Sequence, residues 1–410
     1  MRHRRPSPTR VRPRVEVGDI FRAHGEVYRQ RHVLTPDQSK VLRAVEVCRT
    51  EVLGGHLDVC DSCGYTAPSY NSCRDRHCPK CQSLAQARWL EQRLERLLPV
   101  HYFHVVFTLP AALRPVARRN QRTVYKLLFE AASSTLLRLG EDPARLGAQL
   151  GLTAILHTWT RQLEYHPHLH CVVTGGGLSL DGPRWVAART KFLFPVHVMS
   201  PLFRGVFLDG LRRAHEKGEL SVVGTDFQKL LDGLYAQDWV VYAKRPFGGP
   251  ESVFQYLGRY THRVGISNQR LLSLDERGVT FYTKDGKTAT VTPEEFIRRF
   301  LLHVLPPGFV KIRHYGLWSA SNATTRLEVA RRLLEGGTTE TASASPAPSA
   351  PPPPPSTPEP EPIVEELNWQ RRLLLLAGID VTRCPRCQVG RMQRQPLHSP
   401  APSPPGLDTS

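Results

Sequence analysis

Apolar residues recur at helical spacing in two short stretches near the start of the chain. The first holds Ile20, Phe21 and Val27 and the second Val41, Leu42, Val45 and Val47, a repeat that lines one face of a helix. Thr35-Pro36-Asp37 supplies a start signal for the second. Leu84 to Leu98 reads as a third helix, its basic face carrying Arg88, Arg93 and Arg96. Tyr102 to Leu109 is a nearly unbroken apolar and aromatic run ended by Pro110, the pattern of a buried strand. A long helical pattern follows from about Leu113 to Leu139. Leu152 to Trp159 and His168 to Val173 are predicted strands, the second closed by Gly175-Gly176-Gly177. Residues from about Pro201 to Ala236 are mainly helical in pattern, and Trp239 to Ala243 reads as a strand. After the breaker Gly248-Gly249-Pro250, Glu251 to Thr261 reads as a helix. Short strands around Val264 to Ser267, Val279 to Thr283 and Thr288 to Val291 precede a last helix from about Pro293 to His303. Strands mixed with helices, without strict alternation, predict an α+β fold built on a mainly antiparallel sheet.

Length and charge narrow the function. A chain of 410 residues is long enough for about two or three domains. Its 55 Lys and Arg against 37 Asp and Glu leave a net charge of +18, which makes a polyanion such as nucleic acid the expected partner. No stretch approaches the roughly 20 apolar residues of a membrane span. The opening Arg-rich and Pro-rich arm has no apolar core of a signal peptide behind it, so a bacterial cytoplasmic, nucleoid-associated protein is expected, with no membrane contact.

Six of the nine cysteines fall between Cys48 and Cys81, a crowding that suits a metal site in a reducing compartment better than a disulfide framework. Cys60-Asp-Ser-Cys63 and Cys78-Pro-Lys-Cys81 are two knuckles, each presenting two thiolates from one tight turn, and together they supply the four ligands of a structural zinc site. Cys73, His77 and His56 are surplus candidates. Arg74 and Arg76 lie between the knuckles and, with Arg88, are expected to meet a phosphate backbone. A further pair, Cys384 and Cys387, supplies half a zinc site, which His398 or a cysteine elsewhere would have to complete.

Two other constellations carry chemistry. In Tyr165-His-Pro-His168-Leu-His170-Cys-Val-Val173, alternation along a strand puts His168 and His170 on one face, where they could share a divalent ion; such a pair can equally be incidental. In Tyr256-Leu-Gly-Arg-Tyr260 a four-residue helical step brings both phenols to one side, Cβ atoms about 5 to 6 Å apart, unless the two rings merely form a core stripe. Arg259, Arg263, Lys244 and Arg245 make the surroundings cationic, which a phenol with a pKa of about 10 needs before it can attack.

These phrases, with Asn71-Ser-Cys-Arg-Asp-Arg-His-Cys-Pro-Lys-Cys81 upstream and Arg259-Tyr-Thr-His-Arg-Val-Gly-Ile-Ser-Asn268 downstream, closely resemble the rolling-circle transposases of insertion-sequence family ninety-one, from about Val41 to Trp318. The resemblance implies an HUH-endonuclease-like antiparallel sheet flanked by helices, with an N-terminal zinc-binding module. It further implies Mg²⁺ or Mn²⁺ at His168 and His170, and attack by Tyr256 or Tyr260 on single-stranded DNA at element ends and target, leaving a 5′-phosphotyrosine bond. For a third ligand, pairing the strand at Leu152 to Trp159 with the one at His168 sets His157 opposite His170; Glu164, Gln255 and His262 remain open. Without a Walker A loop, duplex unwinding is expected from host replication or helicase functions.

The expected division is a basic arm and helical DNA-binding region, 1–50; a zinc-binding module with its following helix, 51–98; the HUH/tyrosine catalytic domain, 99–325; a Pro-rich disordered linker, 336–362; a small C-terminal helix plus CxxC knuckle, 363–394; and a disordered tail, 395–410. The rivals are a plasmid rolling-circle replication initiator or relaxase, with the same chemistry, and a non-enzymatic zinc-dependent DNA-binding regulator in which the histidine and tyrosine pairs are structural.

Overall fold

The computed structural model describes residues 15–81, 96–224, 226–244, 265–322, 324–336, 380 and 382–397. They divide into a larger unit, residues 1–46 and 74–338, and a smaller one, residues 47–73 and 339–410. The helix predicted at Glu251 to Thr261, the helix near Leu367 to Ala377, most of that at Leu84 to Leu98 and nearly all of the Pro-rich segment lie outside the described residues.

The larger unit begins with helices α1 (Val17–Arg31) and α2 (Pro36–Val47). Ile20 and Phe21 are buried in α1, whereas Val27, expected on the same apolar face, is exposed. Its main sheet is built from β3 (Tyr102–Thr108), β4 (Ala148–Trp159), β5 (Tyr165–Ser179), β7 (Val241–Lys244) and β11 (Ile312–Gly316) in the order β11-β4-β5-β3-β7, and β6 (Trp185–Ala187) pairs with β5. Every pairing is antiparallel. A second sheet orders β10 (Thr288–Val291), β9 (Gly278–Tyr282) and β8 (Leu271–Asp275). The α+β class follows, with antiparallel sheets as expected.

Period-two alternation splits the main sheet into two chemically different faces. Phe103, Val105 and Phe107 of β3, Leu152, Ala154 and Leu156 of β4, and Leu169, Cys171 and Val173 of β5 all enter one core. Two further helices close it. After α3 (Arg114–Arg119), α4 (Gln121–Glu141) contributes Val124, Leu128, Phe129 and Leu136, and α5 (Val196–Glu216) contributes Met199, Phe203, Phe207 and Leu211. These residues recur at three-and-four spacing, so each helix buries one stripe. Helices α6 (Phe227–Ala236) and α7 (Pro293–Leu301) complete the body. On the other face, Tyr102, Ile155 and Val172 pack with Leu317, Trp318, Leu327 and Ala330, the last two from α8 (Arg326–Gly336). That packing covers one end of the face. The remainder of it carries histidines.

The strand expected at Val264 to Ser267 is not formed at Gly265 to Ser267; a 3₁₀ turn at Asn268–Arg270 leads instead into β8. β5 is longer than predicted at both ends, and β11 was not predicted. Gly316 closes β11 at φ 60°, and a Cβ there would stand 1.8 Å from the Leu150 carbonyl oxygen. Gly316→Ala is therefore expected to destabilise the protein by about 2 kcal/mol, read as a lower urea midpoint; an unchanged midpoint would contradict this packing.

The smaller unit contains a three-stranded antiparallel sheet, β12-β1-β2, from β1 (Gly55–Cys60), β2 (Thr66–Tyr70) and β12 (Met392–Leu397). The tail expected to be disordered from residue 395 thus starts as a strand, Gln395 to Leu397 opposite Leu57 to Gly55. Among the described residues no helix is long and apolar enough to cross a membrane.

Candidate metal centres

His168 and His170 leave the same face of β5, two residues apart, beside His157 of β4. A ring nitrogen from each of the three lies within 4.8 Å of the others. The turn that returns β4 into β5 is held by Thr160 N–H donating to the Glu164 carbonyl at 3.0 Å, with Leu163 at φ 62°. The register corrects the expected one: His157 stands opposite His168, and Ile155 opposite His170. The ladder shifts between His157 and Trp159, opposite the stretch that contains Pro167. Proline cannot donate to a ladder and is tolerated where pairing is irregular. Because the displacement is two residues rather than one, His157 keeps the face that reasoning from sequence gave it.

The hydrogen bonds set the tautomers. His168 Nδ1 lies 2.7 Å from the His166 carbonyl oxygen. A carbonyl only accepts, so Nδ1–H donates and the Nε2 lone pair faces inward. His168 Nε2 and His170 Nε2 are 3.1 Å apart, converging on one point. His170 Nδ1 lies 2.8 Å from Nε2 of His104, a β3 residue, with the two rings 7° from parallel. When His170 Nδ1–H donates to His104, the Nε2 lone pair of His170 joins that of His168. Trp159 stacks on the His157 ring at 4.6 Å. Burial holds His168 well below the usual imidazole value, at about 4, so its ring is neutral near pH 7. The centre opens into a cavity of about 450 Å³ whose wall also includes Trp159, Arg161, Tyr242 and Arg270. Among the described residues lining it there is no carboxylate.

Lys244 ends β7 in register with His104. Tyr256, Arg259, Tyr260 and Arg263, with Gln255 and His262, lie outside the described residues. Gly265, the first described residue after them, lines the cavity. Glu164 is exposed and does not line it. Arg74 and Arg76 are exposed, and Arg88 lies outside the described residues. No local pattern singled out His104.

None of the nine cysteines is in a disulfide. The quartet that Cys60 and Cys63 join differs from the expected zinc set of Cys60, Cys63, Cys78 and Cys81. Cys60 and Cys63 instead share a quartet with Cys384 and Cys387, while Cys78 and Cys81 belong to the larger unit. His77 is used by the fold: it shares a 3.0 Å hydrogen bond with Asp75 through Nδ1, and its Nε2 accepts from the Leu305 N–H at 3.1 Å.

An antiparallel sheet that presents three converging imidazoles, in a basic chain with cysteine knuckles, defines a metal-binding protein suited to a polyanionic partner. Residues 151–325 match the family described as "Putative transposase", and residues 20–109 match the "Transposase zinc-binding domain". The chain is 45% identical over 392 residues to the protein named "Putative transposase y4qJ" of Sinorhizobium fredii, covering 92% of this chain and 94% of that one. It is 29% identical over 287 residues to the transposase for insertion sequence element IS801 of Pseudomonas savastanoi pv. phaseolicola, covering 66% of this chain and 67% of that one. No solved structure matches the chain significantly. The chain belongs to the IS91-type transposase family, with an N-terminal zinc-binding domain. It is an enzyme that acts on DNA.

Proposed function

We propose that the protein nicks and rejoins single-stranded DNA at insertion-element ends by tyrosine attack, in rolling-circle transposition. The observation that carries this reading is the convergence of His157, His168 and His170 beside the two ends of the segment that holds Tyr256 and Tyr260, Lys244 in register with His104 and Gly265 on the cavity wall. The three imidazoles would hold Mg²⁺ or Mn²⁺. Their all-nitrogen donor set favours Mn²⁺, since Mg²⁺ prefers oxygen ligands. Bound there, the ion would act as a Lewis acid on the scissile phosphate.

The chain's own groups do the rest. The His166 carbonyl, and His104 where it accepts from His170 Nδ1–H, would hold His168 and His170 in the tautomers that leave Nε2 free to hold the ion, an orientation that carboxylates or carbonyls supply at other metal sites. One tyrosine oxygen bonds to phosphorus as the bond to the 3′ oxygen breaks. The phenol proton is released, the leaving oxygen becomes a 3′-hydroxyl, and the enzyme keeps a 5′-phosphotyrosine. Arg259 and Lys244 would lower the phenol pKa and balance the phosphate charge. A second tyrosine permits a second transfer, which rejoins the strand to a target. Strand opening is left to host replication or helicase functions. Arg74, Arg76, Arg88 and Arg263 supply phosphate contacts. The knuckle Cys78 and Cys81 would supply two thiolates to zinc within the zinc-binding domain match at residues 20–109.

The test incubates the full-length protein with a single-stranded oligonucleotide of an element end and Mn²⁺, followed by a denaturing gel. A covalent protein–DNA adduct that maps to Tyr256 or Tyr260 is expected. No adduct with any divalent ion would refute the proposal and favour a DNA-binding regulator.

A further inference from the structure

We infer that Cys60, Cys63, Cys384 and Cys387 form a four-thiolate zinc site that welds the C-terminal knuckle into the smaller unit as a zinc ribbon. The four Sγ atoms lie within 4.8 Å of one another. Cys60 Sγ is 3.7 Å from Cys387 Sγ, and Cys63 Sγ is 3.7 Å from Cys384 Sγ. These separations are too long for a disulfide. They match the roughly 3.8 Å edge of a tetrahedron whose centre is about 2.3 Å from each sulfur, the zinc–thiolate length.

Two knuckles of the same design supply the four thiols. In the first, Gly64 N–H donates to the Cys60 carbonyl at 3.2 Å with Gly64 at φ 66°. In the second, Gln388 N–H donates to the Cys384 carbonyl at 3.1 Å with Gln388 at φ 59°. Each knuckle is then tied back, Cys60 N–H to the Tyr65 carbonyl and Cys384 N–H to the Gly390 carbonyl, both at 2.8 Å. The N–H groups of Arg386 and Gly390 point at Cys384 Sγ and Cys387 Sγ, at 3.4 and 3.3 Å, donors that stabilise thiolates. Gly390 passes so close to the first knuckle that a Cβ would stand 2.4 Å from Cys60 Sγ, and Arg391 N–H donates to the Asp61 carboxylate at 2.8 Å.

The surrounding sheet needs such a cross-link. Along β1, β2 and β12, Cys60 is the sole buried residue. Three short strands without an apolar core do not hold together through burial, whereas zinc binding supplies folding free energy directly. The pairing of β12 with β1, Cys60 opposite Met392, is then a consequence of the metal.

The test measures zinc per chain in the full-length protein by elemental analysis. Cys60→Ser/Cys63→Ser and Cys384→Ser/Cys387→Ser should each lose one zinc equivalent, and the quadruple variant should lose the same single equivalent because the pairs share one ion. Loss of two equivalents by the quadruple variant, or none by the C-terminal pair, would overturn the proposal. A measurement on the unmodified chain guards against variants that fail to fold. Thiol alkylation read by mass spectrometry should find Cys60, Cys63, Cys384 and Cys387 protected together and released together by a chelator. Equal alkylation of Cys384 and Cys387 with and without chelator would also overturn it.

Discussion

The double variant Tyr256→Phe/Tyr260→Phe is expected to form no covalent adduct with an element-end oligonucleotide while binding it as well as the unaltered protein. Each substitution removes one hydroxyl and leaves the ring, so phosphate contacts from the basic surface persist, and affinity should stay within about twofold. The loss falls on the step in which a phenol oxygen replaces the 3′ oxygen at phosphorus. The four-residue spacing of the two tyrosines, if helical, would place both phenols on one side, yet only one could attack a given strand end first. At least one single variant should therefore still nick an oligonucleotide and fail to complete transposition. Gel-shift titration and denaturing gels separate the two readouts; full nicking by the double variant, or an adduct mapped elsewhere, would refute the mechanism.

Much of the sheet was legible because its alternation is written in residue type. Along β5, Leu169, Cys171 and Val173 face the core while His168 and His170 face away, and that contrast survives without knowledge of neighbouring strands. The partners were not legible. An ideal hairpin count about Leu163 and Glu164 set His157 opposite His170, whereas the turn is centred earlier, with Trp159 opposite Tyr165, and His157 falls opposite His168. His104 came to His170 through pairing of β3 with β5, a tertiary choice that no local pattern encodes. β11 was missed because all five of its residues are half-buried and include Arg313 and His314, so it shows no period.

The cysteines make the same point at longer range. CxxC spacing fixes which two thiols share a turn, but not which two turns share a metal. Nearness in sequence favoured Cys78 and Cys81 as partners of Cys60 and Cys63, whereas the observed partners, Cys384 and Cys387, come from the far end of the chain. One sign was available: a lone knuckle is half a zinc site, which ligands elsewhere in the chain would have to complete.

The second large effect is expected at the histidines. His168→Ala and His170→Ala each remove a converging Nε2, so only two imidazoles would remain to hold the proposed ion. Lewis-acid stabilisation of phosphate charge is worth several kcal/mol, and about 4 kcal/mol corresponds to roughly a thousandfold in rate. Cleavage by either variant should therefore fall by about three orders of magnitude, with DNA binding retained. His104→Ala tests a different role. His104 touches His170 Nδ1 and on the proposed reading would orient a ligand without holding the ion, so the variant should need roughly 10 to 100 times more Mn²⁺ for half-maximal cleavage and recover much of its rate at saturation. A Mn²⁺ titration of cleavage rate distinguishes the two. If His168→Ala recovered fully with Mn²⁺ in excess, the three-imidazole centre would not be where the reaction takes its metal; if His104→Ala lost rate with no change in its Mn²⁺ requirement, the contact with His170 would not orient a ligand.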